Sequence, residues 1–200
     1  RKIADGIQRY IENKPNDHTA YLDLLSLCRQ WEEEDFQRAH GLNGELRRLC
    51  ARQLHRVSPK EADKFYEAWR KSLLFDAPYK FDAFMTYIEL DRKPEKRFYA
   101  PRRHYLKPMV QGFQDVLDGK LRLLTISMPK RAGKSQTGIN FVNMLSGKYP
   151  DRSTLMEGTG DDLVKSFYNG CLEYLTTPNE YLFYDVFPEA RLVQTGADTK

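Results

Sequence analysis

The chain has 200 residues, of which 40% are hydrophobic and 30% charged, and it carries a net charge of +4. That composition suits one soluble globular domain, or a domain with a helical extension, and argues against a membrane partner: its apolar runs fall far short of the ~20 residues a bilayer span needs. Three widely spaced cysteines (Cys28, Cys50, Cys171) argue against a disulfide framework, and four histidines without ligand spacing to them argue against a His/Cys metal centre.

The mildly basic balance is compatible with a nucleic-acid partner without requiring one. The first segment is polar and amphipathic, unlike a signal peptide, so a cytoplasmic location is expected. A start at Arg1 and an end at Ala197-Asp198-Thr199-Lys200 read as a piece of a longer polypeptide.

Residues 1–92 read as an all-helical N-terminal region. Ile3, Ile7, Tyr10 and Ile11 recur at helical spacing until Pro15-Asn16-Asp17 breaks the pattern. Tyr21, Leu24, Leu25, Leu27 and Cys28 resume it. A longer helix is predicted from about Trp31 to Leu54, with acidic residues at its start and basic residues at its end, as the helix dipole favours. Ser58-Pro59-Lys60-Glu61 is a start signal, with an N-cap serine, a proline at the first position and a capping-box glutamate. The helix it opens carries Phe65, Trp69 and Leu73 and stops at Ala77-Pro78. Another short helix is predicted over Phe81 to Leu90.

Residues 93–200 read as the front part of a P-loop ATPase domain, entered through the polar linker Lys93–Arg97. Helix is predicted over Tyr105 to Leu117, strand over Leu121 to Ser127, helix over Gly133 to Ser146 closed by Gly147, strand over Ser153 to Met156, and helix over Asp161 to Leu175. That order is a βαβ unit, so the expected fold class is α/β with an incomplete parallel sheet. No internal repeat or low-complexity segment is visible.

Between the first strand and its helix lies Met128-Pro129-Lys130-Arg131-Ala132-Gly133-Lys134-Ser135. A phosphate loop needs backbone amides around an anion, a lysine on the β- and γ-phosphates and a hydroxyl on Mg²⁺. Gly133 permits close approach, Lys134 supplies the cation and Ser135 the hydroxyl, while Ala132 and Gln136 flank them as further nucleotide contacts. Met128 stands where the pattern G-x-x-x-x-G-K-[ST] has its first glycine. Lys134 also reads as a solvated lysine at a helix start, and Lys130 and Arg131 as a solvated basic turn. Inside a phosphate loop, those two cations can neutralise γ-phosphate charge in the transition state.

Upstream, Lys96-Arg97-Phe98-Tyr99-Ala100-Pro101-Arg102-Arg103 mixes aromatic and basic residues, and Tyr99 and Arg102 are candidates for the adenine end. The same segment also reads as a linker whose aromatics pack inward. An ATPase further needs carboxylates for Mg²⁺ and for the attacking water. Glu157, at the end of the second predicted strand, and Asp185, after Tyr181-Leu182-Phe183-Tyr184, are unconvincing; the acidic motif is expected beyond Lys200.

With these residues the sequence resembles the large terminase subunits of tailed bacteriophages and prophages, over Phe65 to about Leu192. The landmarks are Phe75-Asp76-Ala77-Pro78, Glu95-Lys96-Arg97-Phe98-Tyr99 with Pro101-Arg102-Arg103, the loop Pro129–Ser135, and Asp162-Leu163 with Ser166-Phe167-Tyr168. The family often lacks the first P-loop glycine and carries a basic residue four before the lysine, here Lys130. Gly158-Thr159-Gly160 departs from the family's usual Ser/His-containing turn. The resemblance implies an ATP- and Mg²⁺-dependent motor moving double-stranded DNA into a procapsid. Its implied partners are the portal protein, the small terminase subunit and further copies in a homo-oligomeric ring. It also implies a nuclease domain beyond residue 200. Two rivals stay open: another P-loop translocase, or a helical interaction module with an incidental Gly-Lys-Ser.

Overall fold

In the computed structural model, which describes residues 2–192, the chain divides into two compact units, Arg1–Asp76 and Ala77–Lys200. The first contains α1 (Lys2–Asn13), α2 (His18–Trp31), α3 (Phe36–Leu54) and α4 (Pro59–Asp76).

Side chains that serve the first amides set where α2 and α3 begin. Asp17 Oδ1 accepts from the Thr19 amide at 3.2 Å, opening α2 after the Pro15 break. Asp35 Oδ1 accepts from the Arg38 amide at 3.1 Å, so α3 starts at Phe36 rather than near Trp31. The acidic run Glu32–Asp35 thus forms the turn and cap before the helix. At α4, Glu61 Oε2 reaches back to accept from the Ser58 hydroxyl at 2.9 Å.

The apolar faces of α1 to α4 meet in one core built on Tyr21, Leu24, Cys28, Leu46, Cys50, Phe65 and Ala68, with the Tyr21 and Phe65 rings edge to face at 5.1 Å. Asp76 is fully buried at the end of α4, where an uncompensated carboxylate is costly. Arg47 pairs with one of its oxygens and His40 Nδ1 lies 2.5 Å from the other, both from α3.

The second unit comprises α5 (Phe81–Tyr87), short 3-10 turns at Pro94–Lys96 and Ala100–Arg102, α6 (Arg103–Leu117), α7 (Lys134–Lys148), α8 (Asp161–Thr176) and α9 (Phe183–Val186). The helix α5, grouped with the N-terminal helices on sequence grounds, packs against α6 and α7 within this unit. Gln114 of α6 joins it there: its Oε1 accepts from the Phe81 amide at 2.7 Å and its Nε2 donates to Tyr79 O at 3.0 Å. Phe81, Phe113 and Phe141, one from each of these helices, form an aromatic cluster with centroids 4.6 to 5.6 Å apart.

The expected parallel sheet is absent: among the described residues there is no strand, and the βαβ reading is overturned. The segment Leu121–Ser127 does keep a period of two, with Leu124 and Ile126 half-buried and Leu123, Thr125 and Ser127 exposed. Leu124 packs on Gly112 of α6, but among the described residues no neighbouring backbone supplies a hydrogen-bond ladder, and a strand needs one. Likewise Ser153–Met156 pairs with no strand among the described residues, and Leu155 is 83% exposed.

The helix α7 also passes through Gly147, its expected stop, and ends at Lys148. Gly147 serves packing: a β-carbon there would lie 2.1 Å from Phe187 Cδ2.

Candidate phosphate-binding loop

The loop Met128–Ser135 leads into a helix of 15 residues, so its amides lie at the positive end of that helix's dipole. Two residues adopt the left-handed region, Arg131 at φ 63° and Gly133 at φ 95°. Left-handed residues in a turn gather successive N–H groups into an anion-receiving concavity. A non-glycine residue there is strained, and such strain concentrates at functional positions.

Lys134, the first residue of α7, is half-buried, and its ammonium donates to Met128 O at 2.5 Å across the loop. A β/γ-phosphate would compete for the same donor. Thr137, one turn on, fastens the glycine: its amide and its hydroxyl each donate to Gly133 O at 3.0 Å.

Lys130 and Arg131 are exposed, and among the described residues no carboxylate pairs with them. Ala132 is half-buried, its amide donating weakly to Pro129 O at 3.4 Å. Ser135 is exposed and lines an open cleft of about 360 Å³ with Phe141, Glu157, Leu163 and Phe167. Gln136 turns away to donate to the Tyr174 hydroxyl at 3.0 Å, joining α7 to α8.

The aromatic-basic segment reaches the loop through a residue other than those singled out for the adenine end. Tyr99 is 1% exposed, with its hydroxyl on Asp82 Oδ1 at 2.6 Å, which takes its ring out of reach of a nucleotide in this arrangement. Burial and the Asp82 carboxylate both push the Tyr99 phenol pKa upward. Phe98 makes the contact instead: a β-carbon on Gly133 would sit 2.9 Å from its Cζ. The Arg102 guanidinium lies 5.3 Å from the Phe98 ring centroid and donates to Phe98 O at 3.0 Å.

Glu89 holds this segment, and sequence reasoning missed it. Its Oε2 accepts from the Phe98 amide at 2.7 Å, and its Oε1 from the Tyr99 and Ala100 amides at 2.8 and 2.9 Å. The carboxylate is 4% exposed; burial raises its pKa, while the three amides pull the other way. The available signal was a lone acid inside the apolar run Tyr87-Ile88-Glu89-Leu90.

The loop therefore combines two left-handed residues, a helix start and a lysine that donates to a loop carbonyl. The metal half is sparser. Ser135 offers one hydroxyl, and among the described residues no group of three or more His, Cys, Asp or Glu side chains could hold an ion. Also among the described residues, no helix is long and apolar enough to cross a membrane. No family model, curated protein or solved structure matches the chain.

Proposed function

We propose that the chain binds ATP through the loop Met128–Ser135 and forms part of an ATP-driven motor that packages double-stranded DNA into a viral procapsid. The observation that carries the nucleotide reading is the pair of left-handed residues, Arg131 and Gly133, directly before α7, with Lys134 folded back on Met128 O. In this reading the loop amides and Lys134 take the β- and γ-phosphates. Lys130 and Arg131 face the γ-phosphate, and the Ser135 hydroxyl contributes to Mg²⁺. The motor reading rests on the terminase-like landmarks, and with it come the portal, the small subunit and a homo-oligomeric ring as partners.

A second reading is favoured by a different observation. The described residues are helical without any sheet, and Leu123 and Leu155 are 80% and 83% exposed, as in a helical module that presents apolar segments to another protein.

Calorimetric titration with Mg·ATP separates the two. The nucleotide reading expects saturable binding that Lys134→Ala weakens at least ~10-fold, the scale of a lost charge-assisted contact. No heat from the wild-type chain, or equal binding by both proteins, leaves the helical-module reading.

A further inference from the structure

We propose that Glu89 is a positioning residue for the phosphate loop, acting through Phe98: the buried carboxylate gathers three successive amides and so holds the Phe98 ring against Gly133.

Loop conformations with left-handed residues persist only where the surroundings over-determine them. Around Gly133 those surroundings are Phe98, with Cζ and Cε2 at 2.9 and 3.2 Å from the β-carbon position, and Leu106 Cδ2 at 3.6 Å. Leu106 is fixed by α6, whereas Phe98 lies between two short 3-10 turns with no regular helix of its own. Its place depends on tethers. The amides of Phe98, Tyr99 and Ala100 all end on Glu89, in the turn that follows α5.

The rest of the linker is tied to the segment just after α5. Arg97 donates to Leu90 O at 2.5 Å and to Arg92 O at 3.0 Å. Arg92 and Lys96 both pair with Glu180, and the Arg92 guanidinium lies 4.5 Å from the Tyr181 ring centroid. Thus the chain from Arg92 to Ala100 is pinned at both ends, with Glu89 nearest Phe98. Only a carboxylate can accept three N–H groups there without presenting a donor of its own; a glutamine puts an N–H₂ against one of them. The amide left unpaired releases Phe98, and with it the contact on Gly133.

The inference deepens the nucleotide reading, but the structural coupling can be tested without nucleotide. Hydrogen exchange is followed by mass spectrometry on the full chain as wild type, Glu89→Gln, Phe98→Ala, Phe98→Leu and the Glu89→Gln/Phe98→Ala double variant. Positioning predicts that the amides of 131–135 exchange at least ~10-fold faster in Glu89→Gln and in Phe98→Ala, while the α6 and α7 interiors keep their protection. Phe98→Leu, which retains an apolar side chain, restores most of it. The double variant adds little, because both changes remove one coupling.

The proposal is overturned if the 98–100 amides loosen in Glu89→Gln while those of 131–135 do not. Should Glu89→Gln lose protection throughout the second unit, Phe98→Ala alone decides, since it leaves the buried carboxylate intact. Mg·ATP titration of the same proteins is the second arm. Failure of the wild-type chain to bind removes the nucleotide reading and leaves the exchange result standing.

Discussion

The Phe98 ring occupies the space that a side chain on Gly133 would need, with Cζ 2.9 Å from the β-carbon position. Gly133 also sits at φ 95°, a left-handed conformation that costs an L-residue roughly 1–2 kcal/mol. Both effects oppose substitution. Gly133→Ala is expected to lower stability by about 1–3 kcal/mol and to abolish nucleotide binding. Urea denaturation and Mg·ATP titration of the same preparation measure the two effects. Unchanged binding by a normally stable variant would mean that the loop does not need this conformation.

Arg131 offers the converse substitution. At φ 63° it carries left-handed strain as a non-glycine residue, and its side chain is exposed. Arg131→Gly relieves ~1–2 kcal/mol of strain but adds ~0.5–1 kcal/mol of chain entropy in the unfolded state. Equal or slightly higher stability is therefore expected, and Arg131→Ala should lack that benefit. On the nucleotide reading, Lys130→Ala should reduce ATP turnover more than either change at Arg131. Denaturation midpoints and steady-state turnover of these variants measure the two effects. Normal turnover by Lys130→Ala beside a dead Lys134→Ala would make Lys130 a solvated surface charge.

Gly147 lies inside α7, yet a β-carbon there would meet the Phe187 ring at 2.1, 2.5 and 2.6 Å. Alanine is the better helix former by ~1 kcal/mol, but overpacking against a ring costs ~1–3 kcal/mol. The clash wins, because Phe187 is itself buried and packs on Phe84 and Phe183. Gly147→Ala should lower the melting temperature, and Gly147→Ala with Phe187→Leu should recover part of the loss. A stabilised single variant would contradict the packing.

Cys28 and Cys50 are buried in the first unit, and desolvation pushes both thiols up to about 12. Below the ordinary thiol pKa both states keep the proton, and stability is fully present. Above it the unfolded chain loses protons first, so stability falls as pH rises toward 12. Each thiol contributes a slope of at most about 1.4 kcal/mol per pH unit within that window. Urea midpoints from pH 8 to 10.5 should fall less steeply for Cys50→Ala than for wild type. Parallel curves for the two proteins would show that Cys50 is not held protonated.

Helix positions were legible from the sequence because they depend on neighbours a few residues apart. The Pro15 break, the Ser58–Glu61 box and the apolar spacing of α2 and α4 all appear where local chemistry requires them. The start of α7 at Gly133-Lys134 belongs to the same class, whereas the left-handed turn before it was not read from the sequence. Glu89 was harder to read: its three amide partners lie 9 to 11 residues away, beyond the reach of any helical or strand period.

By itself, then, the sequence marked most of the described helices and singled out Met128–Ser135 as a candidate loop. Tertiary structure decided what those pieces face. Leu121–Ser127 has a strand's alternation, but pairing requires a second backbone at ladder distance, and none lies there among the described residues. Tyr99 and Phe98 are adjacent aromatics of similar composition. The tether to Glu89 and the Asp82 hydrogen bond turn Tyr99 into the core and Phe98 onto Gly133. Periodicity can mark a side chain as apolar, but only the packed chain determines which surface it meets.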